Sequence, residues 1–314
     1  MPQGSAEEKK PDEKLSSSLD GHIAAAAASK LETAPVPAGL HLVATPIGNL
    51  ADMTLRAIAT LARADVIACE DTRVSGKLKS AFNLDTPLTP YHQHNADRAG
   101  PMLIERLKGG GIVALVSDAG TPLLSDPGYR LVQAALAEGV PVIPAPGPSA
   151  ALAALTASGL PTDRFLFAGF LPSREKARRE ALAALAAIPA TLVFYESPNR
   201  LGACLRDMAD ILGPREAAIA RELTKRYEEF RRGTLEALAE AADGEEFRGE
   251  IALVIGPPAE APPPGDADID VMLRVALDRL GVRDAATEVA AATGLPRKTL
   301  YSRARELRDE ADEG

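Results

Sequence analysis

A chain of 314 residues, 46% hydrophobic and 25% charged, is long enough for two domains with ordinary cores. It holds no apolar run approaching the roughly 18 residues of a membrane span. The net charge of −9 counts against nucleic-acid binding by the whole surface but leaves room for a local basic face.

Two cysteines, Cys69 and Cys204, lie far apart with no CxxC or Cys/His cluster, so neither a disulfide framework nor a metal site is expected. The stretch 22–29 is alanine-rich, short and without a preceding basic run, unlike a secretory signal. The expected compartment is the cytoplasm.

Residues 1–38 are poor in aromatics, rich in Lys, Glu, Ser, Ala and Pro, and read as a flexible extension. From Gly39 the pattern changes. Leu40 to Ala44 reads as a buried strand with Thr45-Pro46-Ile47-Gly48-Asn49 as its exit loop, and a helix begins at Asp52, a plausible N-cap. Ala64 to Glu70 is a second strand, ending at Glu70-Asp71-Thr72-Arg73 and followed by the polar loop Tyr91-His92-Gln93-His94-Asn95. A helix then precedes Gly109-Gly110-Gly111.

The central stretch is VALVSDAGTPLLSDPG, residues 113–128, an apolar strand feeding a Gly/Pro loop. A helix around 129–137 and a strand over 140–143 lead to Pro144-Ala145-Pro146-Gly147-Pro148-Ser149-Ala150. Strands alternating with helices predict a mostly parallel sheet covered on both faces over 39–150. No G-x-G-x-x-G follows a strand and opens a helix, which weakens a nicotinamide or flavin reading.

A small-residue helix over 150–158 bridges to a second α/β unit, 151–257, with strands at 165–168, 191–195, 217–220 and 250–255. Its basic stretches are Arg174 to Arg179 and the run Arg221-Glu222-Leu223-Thr224-Lys225-Arg226-Tyr227. Residues 258–268 form a Pro-rich linker. Beyond it, 269–308 is purely helical, and Ala290, Gly294 and Leu300 carry the A-x3-G-x5-L spacing of a helix-turn-helix. That segment holds eight Arg/Lys against five Asp/Glu, a local excess of +3 (8 − 5), before an acidic tail at 309–314. A helical hairpin with no nucleic-acid role has the same spacing.

Three Gly/Pro loops at strand ends predict one cleft between two α/β units, shaped by Pro and Gly and offering Ser117, Asp118, Thr121, Ser125 and Ser149 as polar handles. There is no Walker lysine, nucleophile elbow or kinase signature, so the cleft suits a polar cofactor held largely by backbone.

Taken in series, HLVATPIGNLADMTLRA, EDTR, VSDAGTPLLSDPGY, PAPGPSAALAAL, FYESPNR and ARELTKRYEEFRRG resemble the rRNA small-subunit branch of the tetrapyrrole-methylase superfamily. The resemblance runs from about Leu40 to Gly256, and the C-terminal helices resemble that branch's helix-turn-helix appendage. It implies a two-domain fold with S-adenosylmethionine (SAM) held between the domains, a homodimer, and 2′-O-methylation of a decoding-centre cytidine of 16S rRNA within the small ribosomal subunit. By the same resemblance Pro46, Gly48 and Asn49 form the first cofactor loop, Asp118, Gly120, Thr121, Pro122, Leu123 and Leu124 the central one, and Gly147, Ser149 and Ala150 the third. Tyr195 and Ala252 match the second-domain wall. Thr121 stands where the tetrapyrrole enzymes carry Asp, which favours an RNA substrate.

Methyl transfer to a neutral hydroxyl profits from a positioned base, and the candidates at strand ends are Glu70, Asp71 and His92, with His94 beside it. For the acids the ordinary alternative is helix capping or pairing with Arg73. Arg73, Arg200, Arg221, Lys225, Arg226, Arg297, Lys298 and Arg303 are the candidate phosphate contacts, the alternative being a solvated charged face. Two other functions compete. A methylase of a small tetrapyrrole would not need the basic segments, and a non-catalytic nucleic-acid binder would leave the three loops unexplained.

Overall fold

The structure is a computed structural model that describes residues 24–259 and 265–312. The expectations for 1–23, for 260–264 of the linker and for the last two residues lie outside the described residues. The chain divides into two compact units, 1–258 and 259–314.

The first unit holds two five-stranded sheets. Strands β1 (Gly39–Val43), β2 (Val66–Cys69), β3 (Leu88–Pro90), β4 (Ile112–Val116) and β5 (Val142–Ala145) form an all-parallel sheet in the order β3-β2-β4-β1-β5. Its strands are nearly continuous apolar runs because both faces are covered. Leu40, Val66, Val113 and Leu115 pack on one face with the helices Ala96–Lys108 (α4) and Tyr129–Ala137 (α5). Val43, Ile67, Ala114 and Val116 pack on the other with Leu55–Arg63 (α2), while Thr72–Ala81 (α3) follows β2. The chain leaves β1 toward one edge and the neighbouring β4 toward the other, which opens a crevice at their carboxyl ends.

Two expectations are corrected here. Asp52 does not start a helix: Leu50–Asp52 is a single 3-10 turn capped by the Asn49 side chain, and the Thr54 hydroxyl caps α2 by accepting from the Ala57 N–H. Within the expected flexible extension, residues 24–33 are helical (α1). The Arg63 guanidinium donates to the carbonyls of Leu31, Glu32 and Ala34 at the end of this helix, where cationic groups are favoured.

The second sheet is mixed, in the order β6-β7-β10-β8-β9, from β6 (Phe165–Phe170), β7 (Thr191–Glu196), β8 (Glu216–Arg221), β9 (Glu229–Thr234) and β10 (Ile251–Ile255). Only β6 and β7 run parallel; β10 and β9 are antiparallel to their neighbours. The period of two sorts its residues by size. Ile251, Leu253, Ile255 and Ile219 face helices Glu175–Leu185 (α7), Leu201–Leu212 (α8) and Leu235–Ala241 (α9). Ala218, Ala220, Ala252 and Val254 face helix Ala150–Ser158 (α6) and Ile47 of the first half. The alanine face leaves room where the two halves meet.

The second unit is a three-helix cluster of α10 (Asp266–Leu277), α11 (Val282–Thr293) and α12 (Arg297–Asp312) around Leu273, Val289, Leu300, Ala304 and Leu307. Gly294 adopts φ 71° at the end of α11, the left-handed cap a tight turn between helices requires.

Candidate functional site

The three strand-end loops are knitted together. Thr45 and Gly120 exchange two backbone hydrogen bonds of 2.9 and 3.0 Å, and the Thr121 hydroxyl donates to the Pro148 carbonyl at 3.0 Å. Gly120 has φ 77° and a Cβ there would stand 3.2 Å from Ile47, so the position demands glycine. Across to the second half, the Ala151 N–H donates to the Tyr195 hydroxyl at 3.1 Å.

These loops wall a cavity of about 420 Å³, ample for a ligand of nucleoside size. Of the predicted cofactor positions, Asp118, Gly120, Thr121, Leu124, Ala150, Tyr195 and Ala252 line it. Pro46, Gly48, Asn49, Pro122, Leu123, Gly147 and Ser149 belong to the same loops but do not line it. Gly48 (φ 155°) lies under the Lys225 side chain and the Leu223 carbonyl, and Leu123 takes φ 73° so that Leu124 reaches the cavity. The polar handle Ser125 lines it as well, and several lining residues escaped sequence reasoning, notably Asp126, Phe170 and Glu196.

Asp126 is the most informative of these. Half-buried, and making no ion pair among the described residues, its carboxyl is pushed up to about 6, by burial first and then by the negative charge of Glu70 and Asp118. The Ser117 hydroxyl opposes the shift. Glu70 is raised for the same reasons, burial first and then Asp118, with His92 pulling the other way. A pocket that gathers carboxyls at a cost in desolvation is complementary to a cation, and SAM carries two. Its apolar remainder, Ile47, Leu124, Ala150, Leu223 and Ala252, suits the nucleoside.

Glu196 is almost wholly buried at the end of β7. Its Oε1 accepts from the Ser197 N–H at 2.7 Å and lies 3.2 Å from the Arg200 guanidinium. Arg200 in turn donates to the carbonyls of Leu171 and Pro172, fixing the 196–200 turn against the end of β6.

None of the three predicted catalytic side chains lines the cavity. Asp71 caps α3, accepting from the Arg73 N–H at 2.8 Å and pairing with its guanidinium, which holds the carboxyl down at about 2. Glu70 stands near Asp118 and His92. The His92 Nδ1 is buried without a hydrogen-bond partner, and its ring meets that of His94 edge-on at 6.0 Å.

The eight candidate phosphate contacts divide in two. Arg221 pairs with Glu229, Lys225 with Glu222 and Glu250, Arg303 with Asp270 and Glu306, and Arg200 with Glu196. Arg226, Arg297 and Lys298 are exposed, and Arg73 is exposed although paired. Arg226 lies over the ring of Tyr227.

The family described as tetrapyrrole (corrin/porphyrin) methylases matches residues 39–239, and the RsmI C-terminal HTH domain matches residues 263–308. Ribosomal RNA small subunit methyltransferase I of Mesorhizobium japonicum is 54% identical over 91% of this chain and 98% of its own. The protein of that name from Halalkalibacterium halodurans is 49% identical over 84% and 93%. Among solved structures, diphthine synthase superposes with a TM-score of 0.55 at 17% identity, covering 69% of this chain and 89% of its own, a likeness of fold.

Proposed function

The chain belongs to the ribosomal RNA small subunit methyltransferase I family of tetrapyrrole methylases, and from that premise we propose that it methylates the ribose 2′-hydroxyl of a decoding-centre cytidine in 16S rRNA. SAM is the family's methyl donor. What carries the reading is the presence, in one chain, of a carboxyl-bearing cavity at three knitted loops and a separate basic helix-turn-helix unit. A methylase of small tetrapyrroles has no use for the second.

Bound in the cavity, the cofactor supplies an electrophilic methyl on a sulfonium. The chain's own contribution is chiefly placement. Asp118 and Asp126 would hold the cationic part of the ligand, the Gly120–Thr121 turn and Ala150 would present backbone to it, and Tyr195 braces α6 from the second sheet. Pro46, Gly48, Asn49, Pro122, Leu123, Gly147 and Ser149, in the same loops but outside the lining, would hold that shape.

We assign proton acceptance from the 2′-hydroxyl to Glu70, relayed by one water because the side chain does not line the cavity, with His92 beside it. Asp71, held at about 2, is too weak a base and positions α3 instead. Phosphate contact falls first to the exposed Arg73, Arg226, Arg297 and Lys298. Arg200, Arg221, Lys225 and Arg303 would have to exchange carboxylates for phosphates. The protein is proposed to work in the cytoplasm as a homodimer, as the family resemblance suggests.

The test is methyl transfer from labelled SAM to purified small ribosomal subunits, with the product mapped by nuclease digestion. One labelled, alkali-resistant cytidine is expected. No incorporation by a preparation that binds SAM would refute the reading.

A further inference from the structure

The chain carries 7 Phe, 5 Tyr and no Trp in 314 residues, yet three aromatic rings cluster here, two of them, Phe170 and Tyr195, on the cavity wall. Two of them are explained by packing. Phe167 and Tyr195 sit against the alanine face of the second sheet with ring centroids 4.9 Å apart. The third, Phe170, is 56% exposed although it lines the cavity, 5.6 Å from Tyr195 and edge-on to it. A large ring left in water beside an apolar cavity asks for a ligand.

The backbone goes out of its way to put it there. In register with β7, Phe167 pairs with Val193 and Phe170 with Tyr195, so three steps along β6 match two along β7. The extra residue is a β-bulge at 168–169. Strict alternation from Phe167 would send residue 170 to the helix-covered face; the bulge returns it to the cavity face. Gly169 makes the bulge at φ 65°, and a Cβ there would stand 2.9 Å from the Ser125 hydroxyl, so β6 is pressed against the central loop. That loop is itself shaped by left-handed Leu123 and Ser125, with Leu124 exposed on the cavity. Phe170 and Leu124 are thus two exposed apolar side chains on a cavity that Asp118, Asp126 and the Gly120–Thr121 turn also line.

We infer that Phe170 is the platform on which the target nucleobase stacks while its ribose is presented to the cofactor. The inference rests on the RNA-methylation reading above. A ribose that reaches a buried methyl must bring its base to within one glycosidic bond of the cavity, and the base then lies at the rim. A neutral aromatic face there holds a single unstacked base without hydrogen-bond readout. The ring takes no part in bond making; it positions the substrate.

The experiment compares wild type with Phe170→Ala, Phe170→Tyr and Phe170→Trp on small ribosomal subunits, alongside calorimetric titration with SAM. The expected result is a KM for subunits raised about tenfold or more in Phe170→Ala, near-wild-type values in Phe170→Tyr and Phe170→Trp, and an unchanged SAM Kd throughout. Phe170→Trp also creates the chain's only tryptophan, and its fluorescence should not be quenched by S-adenosylhomocysteine alone. An unchanged KM in Phe170→Ala overturns the inference. So does weakened SAM binding or quenching by the cofactor product, which would place the ring on the adenine instead. Absence of methylation by the wild type would instead remove the functional reading on which the inference stands.

Discussion

Asp126 gives the sharpest test of how the cavity holds its cofactor. Its carboxyl, at about 6 in the free protein, has been raised by burial and by the neighbouring charges of Glu70 and Asp118. A bound cation favours the ionised form, so SAM binding should expel the proton that Asp126 holds in acid. Affinity is therefore fully present above about pH 7 and lost as pH falls through 6. If only the ionised form binds well, the apparent Kd rises by the factor 1 + 10^(6 − pH), which is about 1.1 at pH 7 and about 11 at pH 5. Asp126→Asn removes the charge while keeping the shape. Losing one charge-assisted contact, worth ~1.5–3 kcal/mol, weakens binding by about 10- to 150-fold at pH 7.5 and should leave the Kd flat down to pH 5.

Calorimetry or equilibrium dialysis with labelled SAM measures both. Glu70→Gln supplies the control, because removing one like charge should shift the fall in affinity to lower pH without abolishing it. S-adenosylhomocysteine lacks the sulfonium charge but keeps the ammonium. If its affinity shows the same dependence, Asp126 faces the ammonium; if it shows none, the carboxylate faces the sulfonium. A wild-type Kd that is constant from pH 5 to 7.5, or a slope that survives in Asp126→Asn, would refute the reasoning.

Other predictions concern the frame around the site. Gly48→Ala places a methyl 2.9 Å from Lys225 Cε and 3.1 Å from the Leu223 carbonyl at φ 155°, and should cost ~1–3 kcal/mol of stability in urea titration. Asp207 is buried beneath Arg178 and Arg179 at 2.6 Å each, so Asp207→Ala leaves a buried guanidinium unpaired and should cost ~3–5 kcal/mol by the same measurement. Deleting residues 266–314 should weaken binding to small ribosomal subunits and flatten its salt dependence, while leaving the SAM Kd within error. Unchanged subunit affinity after the deletion would remove the helix-turn-helix from the docking surface.

The sequence by itself determined the alternation of strands and helices, the three Gly/Pro loops, the small-residue helix α6 and the A-x3-G-x5-L turn. All of these are local: apolar periodicity, conformationally special residues and capping side chains leave their mark within about ten positions. What it left hidden needed long-range pairing. β9 reads as a charged run because it is the edge strand, where Glu229, Arg231 and Arg232 satisfy themselves at the surface. Asp126 looks like an ordinary loop acid in the sequence, because its raised carboxyl comes first from burial and then from the charges of Glu70, after β2, and Asp118, after β4. The strand expected over 165–168 stops short of Phe170 because a bulge is visible only when two strands are set in register. Chemistry held in the chain's own turns could be read from the residues; chemistry made by burial and by charges meeting across loops was decided only when the sheets closed.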